Sequence, residues 1–127
     1  METKTKSRPQ ELTRAELDIM QVLWSRGPSV VHGILEAMPE PRPAYNTVST
    51  IVRILEKKGF VGHKAYGKTH EYYPLVTKDA YARRYMDTVL HNFFDGSVSR
   101  LVSFFSEHRA ISVEETDEIL TLLRDRR

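Results

Sequence analysis

Ala44-Tyr-Asn-Thr-Val-Ser-Thr-Ile-Val-Arg-Ile-Leu-Glu-Lys-Lys58, stopped by Gly59, is the stretch that decides how this chain is built. With about 100° of turn per residue, Val48, Ile51, Val52 and Leu55 gather on one side of a helix and predict a buried face. Asn46, Thr50, Arg53 and Lys57 fall on the opposite side, with Ser49 on the flank. No carboxylate interrupts that outward line, because Glu56 lies to one side. Short Asn, Ser and Thr side chains are weak helix formers and poor choices for an idle helix surface. They suit base edges in a DNA major groove, and Arg53 and Lys57 suit phosphates farther along the helix.

Working backwards, prolines at 39, 41 and 43 force a non-helical linker. Before it, Ser29 is expected to cap a short helix carrying Val31, Ile34, Leu35 and Met38. The first helix starts at a capping box, Thr13-Arg-Ala-Glu16, flanked by Leu12 and Leu17 as a hydrophobic staple. Leu17, Met20, Val22, Leu23 and Trp24 give it a broad apolar face, and Gly27-Pro28 ends it.

Working forwards, the period changes. Phe60 to Tyr66 and Thr69 to Leu75 are strand-like and meet at Gly67-Lys68, which predicts a β-hairpin. Lys64, Lys68 and His70 surround its turn, the chemistry a wing needs against a phosphate backbone or minor groove. Tyr66, Tyr72 and Tyr73 are expected to pack that wing onto the helices. Thr77 then opens an amphipathic helix bearing Tyr81, Tyr85, Val89, Leu90, Phe93 and Phe94, which breaks at Asp95-Gly96. Ser97 opens another with Val98, Leu101, Val102 and Phe105, and a second capping box, Ser112-Val-Glu-Glu115, starts the last, on Ile119, Leu120, Leu122 and Leu123.

Three helices, a hairpin and further helices make a mainly α chain: an N-terminal winged helix-turn-helix with a C-terminal helical segment. The expected divisions are a flexible arm over 1–11, whose Lys4, Lys6 and Arg8 can reach phosphate, a DNA-binding domain over 12–76 and a helical dimerisation domain over 77–127. Charge follows the same split. Residues 1–78 hold 12 Lys and Arg against 8 Asp and Glu, a net of +4, whereas residues 79–127 hold 7 against 9, a net of −2. A basic half suits a polyanion and an acidic half suits protein.

Composition narrows the chemistry. No apolar run approaches a membrane span and the N-terminus lacks a signal-peptide core, so a cytoplasmic protein without membrane insertion is expected. Zero cysteines exclude disulfides, thiol catalysis and thiolate metal sites. The five histidines, at 32, 63, 70, 91 and 108, lack paired ligand spacing, so neither metal nor cofactor is expected. There is no Gly-rich phosphate loop, no H-E-x-x-H and no nucleophile elbow, and no catalysis is expected.

Leu12-Thr-Arg-Ala-Glu16 with Val22-Leu-Trp24, Asn46-Thr-Val-Ser-Thr50 leading to Leu55-Glu-Lys-Lys-Gly59-Phe-Val61, and Glu71-Tyr-Tyr-Pro74 together resemble the BlaI/MecI/CopY penicillinase-repressor family, from about Leu12 to Leu123. The resemblance implies a homodimeric repressor on a palindromic operator, serving a beta-lactam-resistance-type or related stress-response operon. It implies DNA contact at Thr47, Ser49 and Thr50 and along the Lys64 to Lys68 wing. With the outward helix face, the expected DNA-binding set is Tyr45, Asn46, Thr47, Ser49, Thr50, Arg53, Lys57, Lys64 and Lys68. Ala44 and Ile54 stand where some members have Ser and Arg, which implies a different base preference, with Tyr45 or Arg53 compensating. The expected dimer contacts are Tyr85, Val89, Phe93, Leu101, Phe105, Ile119, Leu122 and Leu123.

Copper-responsive members bind metal through C-terminal cysteines that this chain lacks. Antibiotic-responsive members are induced when a membrane-bound sensor protease triggers cleavage in the dimerisation region. The matching stretch, Leu101-Val-Ser-Phe-Phe105, lacks their Asn-Phe pair and points to the Phe104-Phe105 bond. Two other uses of the sequence stay open at this level: a winged-helix protein-protein adaptor, and a small-molecule-responsive regulator with a pocket among the C-terminal aromatics.

Overall fold

The computed structural model describes residues 11–107 and 112–125, the side chains of Leu123 and Asp125 excepted. The arm expected over 1–11, with Lys4, Lys6 and Arg8, lies outside the described residues apart from Glu11, and so does His108. The chain divides into two compact units, 1–78 and 79–127.

In the first unit, helix α1 spans Arg14–Arg26. Its capping box is formed: the Glu16 N–H donates to the Thr13 hydroxyl at 3.1 Å, and the Thr13 N–H donates to the Glu16 carboxylate at 2.9 Å. Gly27 ends it at φ +88°, a left-handed value that a side chain rarely adopts.

The next segment departs from expectation. Ser29 does not cap a helix; Ser29–Val30 is a short strand, β1, and helix α2 runs Val31–Ala37 behind an N-cap at Val30 that makes no side-chain hydrogen bond. The Ser29 hydroxyl donates instead to the Gly27 carbonyl at 3.0 Å. Two residues are too few to display the alternation that marks a strand. Their partner, moreover, lies more than forty positions away in sequence: Ser29 pairs with Tyr72 and Val30 with Glu71.

Helix α3 spans Tyr45–Lys57, with Ala44 as an N-cap without a side-chain bond. Strands β2 (Val61–Tyr66) and β3 (Thr69–Pro74) form the expected hairpin, and β1 joins them to give an antiparallel sheet in the order β1-β3-β2. Gly67 takes φ +65° at the first position of the two-residue connection, as the favoured hairpin turns demand.

The core of this unit lies where α1, α2 and the sheet meet α3. Ile19, Met20 and Leu23 from α1, Ile34 from α2 and Val48, Val52 and Leu55 from α3 are wholly buried, and Phe60, Val61 and Tyr72 close it from the sheet side. The Trp24 indole N–H donates to the Val76 carbonyl at 2.9 Å and pins the end of the sheet to α1.

The second unit is built of α4 (Lys78–Phe94), α5 (Val98–Glu107) and α6 (Val113–Asp125). The break at Asp95-Gly96 falls as expected, with both residues at positive φ. Ser97 accepts from the Arg100 N–H at 3.1 Å, and the Ser112–Glu115 capping box is formed at 3.1 Å in both directions. Leu90 and Leu101 are its buried centre, with Met86, Phe94, Val98, Phe105 and Ile119 partly buried around them.

Candidate nucleic-acid interface

Because Val48, Val52 and Leu55 are drawn fully into the core and Ile51 is half-buried, the other side of α3 must face out. Asn46, Thr47, Thr50, Arg53 and Lys57 are all exposed, as is Tyr45 at 42%. Ser49 is half-buried on the flank, and its hydroxyl accepts from the Arg53 guanidinium at 3.2 Å.

One ion pair fixes the helix against α1, and a histidine contact holds the nearest carboxylate off its outer face. Glu16 is 4% exposed, and both of its oxygens accept from the Lys58 ammonium, at 2.8 and 3.0 Å. This joins the start of α1 to the end of α3. Burial on its own would raise the Glu16 pKa, but the hydrogen bonds from Lys58 and Thr13 outweigh it and hold the carboxyl below the ordinary value. Glu56, the carboxylate nearest the outward line, is drawn to the wing by His63 at 2.7 Å. His63 in turn stacks on His70, with ring centroids 4.2 Å apart. Burial, and then the Glu56 charge, raise the Tyr72 pKa above its ordinary value.

On the same flank, α2, α3 and the hairpin enclose an open cleft of about 430 Å³. Tyr45, Ser49 and Arg53 enter it from α3, Lys68, Thr69, His70 and Tyr72 from the hairpin, and Val30, Val31 and His32 from the α2 side; none of these is acidic. The His32 and Tyr45 rings lie 4.6 Å apart. His32 was not singled out as a site residue, since a lone histidine three positions after a serine carries no periodic signal; only the return of the hairpin brings it beside Tyr45 and Arg53.

The hairpin tip is exposed from Lys64 through His70. The Lys64 ammonium sits 5.7 Å from the centre of the Tyr66 ring. The expectation that three tyrosines pack the wing onto the helices needs correction. Tyr72 does so at 4% exposure, but Tyr66 is 55% exposed at the tip. Tyr73 covers Gly62, where a Cβ would lie 3.0 Å from its ring, so a side chain there would push the ring outward.

The residues expected to mediate dimer contact separate into two groups. Leu101 is buried in its own unit, with Phe105 and Ile119 partly buried beside it. Tyr85, Phe93 and Leu122 are exposed, at 44%, 76% and 41%, and Val89 is half-buried; the Leu123 side chain lies outside the described residues. The Phe104-Phe105 bond falls within helix α5. Among the described residues, no helix is long and apolar enough to cross a membrane and no group of three or more potential ligands is placed to hold a metal ion.

A three-helix unit closed by a three-stranded wing sheet, with a polar, acid-free helix face beside a basic hairpin, defines a winged-helix transcription regulator. The sequence matches the penicillinase repressor family over residues 12–125, and the chain belongs to that family of DNA-binding, non-enzymatic transcriptional repressors. It is 26% identical over 114 residues to the methicillin resistance regulatory protein MecI of Mammaliicoccus sciuri, covering 89% of this chain and 93% of that one. It is 25% identical over 116 residues to the penicillinase repressor of Bacillus licheniformis, covering 91% of each. Among solved structures it is similar to NMB1585, a MarR family regulator from Neisseria meningitidis, with 18% identity, 87% and 80% coverage and a TM-score of 0.44.

Proposed function

We propose that this chain represses transcription as a homodimer in the cytoplasm. Helix α3 of each copy enters one of two successive major grooves of a palindromic operator, and each hairpin lies on the flanking backbone. The observation that carries this reading is the exposed, acid-free face of Asn46, Thr50, Arg53 and Lys57 beside the exposed Lys64 and Lys68. Asn46, Thr47, Ser49 and Thr50 are the base readers; Tyr45, Arg53, Lys57, Lys64 and Lys68 hold phosphates.

On this reading residues 12–76 bind DNA and 77–127 dimerise, a second copy covering Tyr85, Val89, Phe93 and Leu122. The genes controlled belong to a beta-lactam-resistance-type or related stress response, since the matched relatives are a methicillin resistance regulator and a penicillinase repressor. Induction by a membrane-bound sensor protease would act at Phe104-Phe105; because that bond is helical, α5 must unwind locally before a protease can hold it.

A footprint on the DNA flanking the chain's own gene tests the proposal. The expected result is a protected palindrome whose half-sites are one or more whole helical turns apart, with Arg53→Ala weakening binding about ten-fold or more. Absence of any protected palindrome at moderate salt would favour the adaptor reading.

A further inference from the structure

The outward face of α3 is polar with one exception. Of its two large, exposed apolar residues, Tyr45 packs at a tilt against His32, whereas Ile54 stands 40% exposed in a shallow depression of about 470 Å³ bordered by Thr50, Arg53, Glu56 and Lys57. A lone exposed isoleucine on an ordinary surface requires no explanation. This one is a β-branched residue in mid-helix, where the propensity scale disfavours it. It also shares that depression with two cations, Arg53 and Lys57, for which no carboxylate partner is found among the described residues, while the carboxylate of Glu56 is engaged by His63 at 2.7 Å. The charges that would draw a duplex onto this face therefore bring its base edges against an apolar side chain.

We infer that Ile54 reads the 5-methyl group of a thymine in the major groove. The inference rests on the DNA-binding reading above and adds a specificity residue to it. On the floor of the major groove, base edges offer hydrogen-bond donors and acceptors, plus one methyl group, that of thymine. Asn46 and Thr50 match the polar features; an isoleucine matches the methyl. One helical turn, about 6 Å, separates Thr50 from Ile54, which is less than two base steps of about 3.4 Å. The thymine accordingly lies within two base pairs of the one facing Thr50, in the same half-site.

The test uses the full chain. Binding sites are selected from a random duplex library, and each thymine of the selected half-site is then replaced by deoxyuridine, which removes the methyl and nothing else. The expected result is one position where the replacement weakens wild-type binding about four-fold per half-site, the value of one buried methyl. I54A should lose the same factor on the thymine duplex and be indifferent to uracil there, while Ile54→Val keeps most of the discrimination. Because Ile54 is exposed, I54A should melt with the wild type. If the I54A penalty is the same on every uracil-substituted duplex as on the parent, the methyl reading is overturned while DNA binding stands. If no duplex is enriched at all, the DNA-binding reading fails and takes this inference with it.

Discussion

The two units treat their apolar residues in opposite ways. In the first, α1, α2, α3 and the sheet converge until seven core side chains, from Ile19 to Leu55, are wholly out of water. In the second, two leucines are buried among the described residues, while Phe93 and Val113 each stand 76% exposed and Tyr85, Phe104 and Leu122 more than 40%. On the proposed dimer, exposed apolar area of that kind is what the second copy covers. The first unit completes its own core and leaves a polar face for a polyanion. The second leaves apolar area for the second copy proposed above, which would tie its stability to that copy by mass action. On the dimer proposed above, this division separates the element that reads DNA from the one that sets the spacing of the two reading helices.

The largest expected effect sharpens the claim that the first unit stands by itself. In K58M the buried Glu16 carboxylate loses its cation, and denaturant unfolding followed by Trp24, the chain's single tryptophan, should report a loss of about 3 kcal/mol. The E16Q/K58M double variant should regain most of it, since no unpaired charge remains. The same pair predicts the acid response. Glu16 has a folded-state pKa below its unfolded one, so its contribution is complete above the ordinary carboxylate range and is lost as pH falls through the lowered native value. E16Q should lack that component of acid destabilisation.

A smaller effect can break the comparison outright. Phe93→Asp puts a charge on the exposed face of α4 and should weaken self-association by about 2 kcal/mol, read by sedimentation, while the Trp24 unfolding midpoint of dilute protein stays unchanged. A variant that remains fully dimeric would mean that the partner surface lies elsewhere. The smallest effect is on the wing: Lys68→Ala should reduce the slope of log affinity against log salt by about one per bound copy, with an affinity loss of less than ten-fold at moderate salt.

Much of the candidate interface was legible before the fold was known, because it depends on periodicity alone. A helix that buries Val48, Val52 and Leu55 has no choice about where Asn46, Thr50, Arg53 and Lys57 point. Capping at Thr13 and Ser112 and the breaks at Gly27, Gly59 and Gly67 were equally readable, since each is decided within four residues of chain. By contrast, β1 was missed because its only evidence is a partner strand, and Tyr66 was misjudged because alternation does not say where a hairpin outgrows the body it packs on.

The linear order of residues therefore determined, β1 apart, which segments are helical or extended and which way α3 faces, for these follow from local backbone preference and the turn angle of a helix. Tertiary structure decided the pairings across distance: Lys58 with Glu16, 42 residues away, His63 with Glu56, His32 with Tyr45, and which C-terminal leucines and phenylalanines lie inside. Those depend on how elements dock, and docking is a property of shape and burial that no window of sequence contains.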